Sequence, residues 1–122
     1  MSHHFIMSDQ EGSSAIAKQE APEFSALEYQ GWSGQALEAS GVFCFILKVK
    51  AGGDEFPMHA DAAAWLGYVV SGSGELFSGN AAGDKLEAVA FAAGDFITFE
   101  PNTQHAWKNG PDESKILVVK VA

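Results

Sequence analysis

The chain contains no arginine; its seven basic residues are all lysines. Arginine is the side chain that clamps carboxylates and phosphates through two parallel hydrogen bonds. A pocket for a sugar phosphate would have to rely on Lys48, Lys50 or a metal. Acidic residues outnumber basic ones by 16 to 7, giving a formal net charge of −9. Such a surface repels a phosphate backbone and an anionic bilayer, so neither nucleic acid nor membrane is an expected partner. There is a single cysteine, Cys44, which excludes an internal disulfide and a cysteine-built zinc site. It lies in the apolar run Val42 to Leu47, where it reads as a small buried hydrophobe and not as a nucleophile. No apolar run approaches the roughly 20 residues that span a bilayer. The first residues lack a basic segment followed by a long apolar core, so a cytoplasmic location is expected. Also missing are a Ser-His-Asp arrangement, a phosphate loop and a dinucleotide fingerprint.

What remains is one domain's worth of chain, 122 residues, 47% hydrophobic and 19% charged. Residues 1–22 are polar and rich in small residues, with no sustained period; they read as a flexible tail preceding a single domain over 23–122. Within the domain, short apolar stretches recur at intervals of about ten residues, separated by Gly, Pro, Asn and Asp. Phe24 to Trp32 is expected to be a strand and the cluster 31–34 a turn. In Val42 to Lys50, Phe43, Phe45, Leu47 and Val49 share one face. Strands are also expected over 64–71, 75–78, 85–91, 96–99, 105–108 and 114–121. Residues 79–84 read as a hairpin loop. No amphipathic helix follows residue 23. Eight or so short strands argue for an all-β antiparallel sandwich or barrel.

Four histidines occur. His3 and His4 lie in the tail and read as solvated. The other two sit in stretches that answer each other, GDEFPMHADAAAWLGYVVSGSG over 53–74 and GDFITFEPNTQHAWKN over 94–109. These resemble the paired motifs of the cupin superfamily over about residues 36–121. Gly53, His59 and Gly72 match the first motif, together with the Tyr68-Val69-Val70-Ser71 approach to Gly72. Gly94, Asp95, Pro101, His105 and Asn109 match the second, with Asn102 in place of a glycine. The resemblance implies a double-stranded β-helix, the jelly-roll barrel of the cupins, and a homodimer. It also implies a metal site of three histidines and one glutamate, from which this chain departs. Asp61 stands where the second histidine belongs, and Trp65 where the glutamate belongs.

If the chain runs extended from 59 to 69, His59, Asp61 and Trp65 share the face that the resemblance turns into the barrel. His105 would approach from the strand after Pro101. His59, Asp61 and His105 then make a two-imidazole, one-carboxylate set suited to Fe, Mn, Ni or Zn. The competing reading is a metal-free pocket in which Asp61 orients one ring or leans out to solvent after a turn. Trp65 cannot coordinate a metal; it either plugs the barrel or forms a stacking wall for an apolar ligand. Trp107 and Met58 are the other expected pocket residues, with Met58 as gap filler the alternative. Phe43, Phe45, Phe96 and Phe99 are expected in the core or at an interface, and Tyr68 outside the barrel. Two functions stand: a small cupin that holds a divalent metal through a reduced set and acts on or binds a small organic molecule, and a metal-free binding or structural cupin. No residue is assigned a catalytic role.

Overall fold

The computed structural model describes residues 1–9 and 11–122. Gln10, inside the expected tail, lies outside them. The described residues form strands β1 (Ser2–Ser8), β2 (Ser14–Glu20), β3 (Ser25–Ala26), β4 (Trp32–Ala39), β5 (Val42–Val49) and β6 (Phe56–His59). These are followed by β7 (Trp65–Ser71), β8 (Ser73–Gly79), β9 (Lys85–Ala92), β10 (Phe96–Phe99), β11 (His105–Asn109) and β12 (Ser114–Val121). A six-stranded sheet has the order β10-β7-β12-β5-β4-β3, and a four-stranded sheet the order β6-β11-β8-β9. The architecture is the all-β jelly roll expected from the alternating pattern. No helix of the described residues is long and apolar enough to cross a membrane.

The inward-facing alternates of these strands meet in one core. Trp32, Leu47, Val49, Val69, Phe91, Phe99, Trp107, Ile116 and Val118 pack as a single buried cluster. Burying each large apolar side chain of this kind contributes about 1.5–3 kcal/mol. Trp32 joins the core because its indole N–H finds a partner, donating to the Asp54 carbonyl at 2.6 Å. Trp107 packs edge-on against Phe91, with ring centroids 5.6 Å apart. Cys44 is half-buried, and burial pushes its thiol up from its ordinary value, which keeps it protonated and unreactive at neutral pH.

Several segments differ from the sequence reading. The strand expected over 24–32 is reduced to β3, with a turn at 28–31, and β6 falls where no strand was expected. Residues 32–34, expected as a turn, begin β4 instead. Gly34 sits inside that strand because the Phe45 ring lies over it, where an added Cβ would overlap the ring. The segment expected as a tail carries an antiparallel hairpin, β1 with β2, in continuous register from Ser2↔Glu20 to Ser8↔Ser14. Its alternation is hidden in the sequence because nearly every residue of both strands is exposed.

The turns behave as their residues dictate. Ser40 and Gly41 both have positive φ, 54° and 75°, the type I′ pattern that joins β4 to β5 tightly. Asn80 closes the β8–β9 loop by accepting at Oδ1 from the Ala82 and Asp84 amides, both at 3.1 Å. Asn102 takes φ 61°, the left-handed conformation that asparagine tolerates best after glycine. This accounts for an asparagine where the motif has glycine.

Asn109 and Gly72, both motif residues, staple the two sheets at one end. The Asn109 amide donates to the Lys50 carbonyl at 3.0 Å and the Asp112 carbonyl at 2.8 Å, and its Oδ1 accepts from Ser114. Ser114 is fully buried and packs directly on Gly72, whose φ is 87°. An added Cβ there would overlap the Ser114 side chain as well as oppose the left-handed backbone. Gly72→Ala is therefore expected to lower unfolding stability by about 2 kcal/mol or more, measured as the loss in a urea unfolding curve. A loss below about 0.5 kcal/mol would contradict this packing.

Candidate functional site

The site begins with a strand pair. β6 and β11 run antiparallel with His59 opposite His105. The two imidazole centroids lie 4.2 Å apart, with planes inclined by 59°. A phenyl ring flanks each one: Phe56 lies 4.6 Å from His59, and Phe99 lies 4.4 Å from His105. The register between β6 and β11 shifts after this pair, so that Trp107 stands opposite Phe56. This irregularity brings Phe56 and His59 to the same cavity although they are three residues apart.

Both rings are anchored in the same way. His59 Nδ1 lies 2.8 Å from the Pro57 carbonyl, and His105 Nδ1 lies 3.0 Å from the Thr103 carbonyl. A carbonyl oxygen only accepts, so each Nδ1 carries the hydrogen. In the neutral imidazole the lone pair then sits on Nε2. The strand pair thus presents two fixed imidazoles with acceptor nitrogens left for a ligand. Burial pushes the His105 imidazole below its ordinary value. The Thr103 carbonyl opposes that shift, the adjacent His59 ring adds to it, and the Asp61 charge opposes it.

The cavity in front of these rings has a volume of about 170 Å³. Its walls are Phe45, Phe56, Trp65, Phe99 and Trp107 with Leu47 and Val118, and its rim is Ala60 and Asp61. No lysine lines it. A shallower groove of about 520 Å³ runs on the other side of Phe99 and His105, between β10 and the β8–β9 pair.

The expected site residues separate into those that assemble and those that do not. His59, His105, Trp65 and Trp107 all line the cavity. Trp107 is at the same time a core residue, only 3% exposed, whereas Trp65 is half-buried. Met58 does not line it: its thioether packs against Gly79 on the other side of β6, as strand alternation next to His59 requires. Asp61 reaches the rim but not as expected from parity. β6 ends at His59, and Asp61 lies in the turn before Trp65. Its Oδ1 accepts from the Ala63 amide at 2.7 Å, and its carbonyl accepts from the Asn102 amide at 2.7 Å. The carboxylate thus shapes the turn. Phe45 and Phe56 line the cavity without having been singled out for it. Phe56 could have been found from its place three residues before His59, had the register shift been readable.

Two imidazoles with Nδ1 anchored to carbonyls have the second-sphere arrangement that metal-ligating histidines use. Among the described residues, however, no three His, Cys, Asp or Glu side chains converge as a metal-binding group. Asp61 uses Oδ1 on the Ala63 amide and Trp65 offers no metal donor, so the donors that face each other in this arrangement are the two imidazoles.

The profile of the cupin domain matches residues 45–120. The chain is a cupin. No curated protein sequence matches it. Among solved structures, this cupin resembles the oxalate decarboxylase of Lactobacillus farciminis in its formate complex, with a TM-score of 0.68 at 15% identity over 82% of the chain. It spans only 30% of that chain's length. A DMSP lyase from Ruegeria pomeroyi aligns with a TM-score of 0.63 at 14% identity, over 75% of this chain and 47% of that one. A protein from Neisseria meningitidis aligns with a TM-score of 0.60 at 12% identity, over 80% of this cupin and 90% of its own length. At these identities the likeness is one of fold.

The burial of His105 sets a pH dependence. Its folded-state pKa is depressed, so the unfolded chain binds the proton more readily between that value and about 6.5. Stability is unaffected by this group above about 6.5. It falls as pH drops below that, until the folded-state pKa is reached. An NMR titration is expected to give a His105 midpoint below about 6.5. A midpoint above the ordinary value would contradict the burial seen here.

Proposed function

We propose that this cupin binds a small organic molecule in the aromatic cavity, with His59 and His105 as its polar end. The carrying observation is the anchoring of both imidazoles at Nδ1, which leaves two acceptor nitrogens beside five aromatic walls. Pockets that bind small molecules combine a mostly apolar lining with a few oriented polar groups, and this cavity has that composition. Its volume of about 170 Å³ suits a ligand smaller than a drug-sized compound. Trp65, Phe45 and Phe56 supply aromatic surface to the ligand. Binding exchanges water for apolar contact, while the two nitrogens fix orientation.

A second reading is favoured by the same anchoring. A divalent ion such as Fe, Mn, Ni or Zn would bind the two Nε2 atoms, with water or ligand completing its sphere. There it would act as a Lewis acid toward the ligand. The two readings separate by chelation. Protein prepared without a nickel column is expected to hold less than about a tenth of an equivalent of metal, and small aromatic ligands are expected to raise its melting temperature equally with and without EDTA. Stoichiometric metal, with every ligand-induced shift lost in EDTA, would overturn the metal-free reading in favour of the second.

We also infer a homodimer. Ile6 and Ile16 stand opposite each other in the β1–β2 hairpin and are 75% and 72% exposed. Among the described residues that hairpin pairs with no other strand. Two-stranded hairpins are marginal in water unless something covers them. Leu66, Tyr68, Val70 and Phe96 form a second exposed apolar surface on the outside of β7 and β10. Light scattering at micromolar concentration is expected to give the mass of two chains; the mass of one would refute it.

A further inference from the structure

We infer that the molecule this cavity takes is a small organic ammonium, an aromatic or branched alkyl amine in its protonated form. The inference rests on the reading of the cavity as a ligand site and adds the charge of what fills it. Three observations carry it.

The first is the sign of the hydrogen-bonding groups. His59 and His105 each spend Nδ1–H on a backbone carbonyl, so both offer lone pairs at Nε2. A ligand head group that meets them must donate. An ammonium donates up to three hydrogen bonds, while a carboxylate donates none.

The second is charge. The cavity is lined by no lysine, and the chain has no arginine to bring to it. A carboxylate or phosphate placed here would be buried beside lone pairs and one carboxylate, with no cationic side chain among the lining residues. Asp61 supplies the opposite sign at the rim. Its Oδ1 holds the Ala63 amide, but a carboxylate has further lone pairs to offer. The chain as a whole, at −9, draws cations toward such an opening.

The third is the wall. Aromatic faces attract cations, and five of the rings that line this small cavity are Phe or Trp. One of them already meets an ammonium. Lys120 Nζ lies 5.1 Å over the Trp65 ring, where Trp65 meets Phe43 outside the cavity.

The test uses three probes of nearly equal shape on the full chain after EDTA treatment: benzylamine, benzyl alcohol and benzoate. Calorimetric titration at pH 7.5 is expected to rank them amine, then alcohol, with benzoate at least tenfold weaker than the amine. Asp61→Asn and His105→Gln, with folding verified from amide NMR spectra, are each expected to weaken the amine about tenfold; Asp61→Asn, which removes only the charge, is expected to leave the alcohol within about threefold, whereas His105→Gln weakens the alcohol as well. Should either variant fail to fold, increasing salt supplies the second arm by weakening the amine selectively. Benzoate binding as tightly as benzylamine would overturn the inference, as would an amine affinity unchanged in both variants. In either of those outcomes the cavity still binds, so the ligand-site reading survives. Failure of all three probes would overturn both.

Discussion

The pairing of β6 with β11 is the constraint on which the rest of the site depends. Antiparallel register puts His59 opposite His105, and each ring is then held by the carbonyl two residues before it. Neither imidazole can turn without giving up that hydrogen bond, whose loss in a partly buried site costs about 1–3 kcal/mol. While β6 is the edge strand of its sheet, β11 sits between β6 and β8 and so is paired on both sides. The same strand ends at Asn109, which ties the far end of the sheet to Lys50 at the exit of β5. One strand therefore carries both a cavity-lining histidine and the residue that holds the two sheets in place.

The cavity exists because of what the strands place around that pair. Gly34 lets the Phe45 ring lie flat over β4, and Phe99 and Trp107 come from the core side. The result is a small aromatic space with two nitrogens at one end and a carboxylate at the rim. Trp65, in the position that the superfamily's motif gives to glutamate, turns a coordinating position into a stacking one. The substitution removes one donor from the motif's metal-ligand set while leaving the scaffold intact.

The sequence made the scaffold legible where local rules and long-range packing agree. Alternation in Val42 to Val49 and Ser114 to Val121 marks strands whose one face is core. Gly72, Gly94, Pro101 and Asn109 mark turns that need their conformations or hydrogen bonds. His59 and His105 were legible through motif spacing. What failed did so for physical reasons. Parity from His59 to Asp61 assumed an unbroken strand, but the chain turns after His59 and the carboxylate serves the turn. Met58 faces away for the opposite reason, because there the strand does alternate. Trp32 looked like part of a turn because glycines flank it, yet its indole bond to Asp54 draws it into the core. The β1–β2 hairpin left no hydrophobic period because it buries almost nothing within its own chain.

The central claim, that two neutral imidazoles present Nε2 lone pairs to the cavity, can be read directly from long-range proton–nitrogen NMR correlations of the side chains. Above pH 7, His59 and His105 are expected to show protonated Nδ1 and unprotonated Nε2, with the Nε2 resonances moving when a ligand is added. A protonated Nε2 on both rings, or Nε2 signals indifferent to ligand, would contradict it.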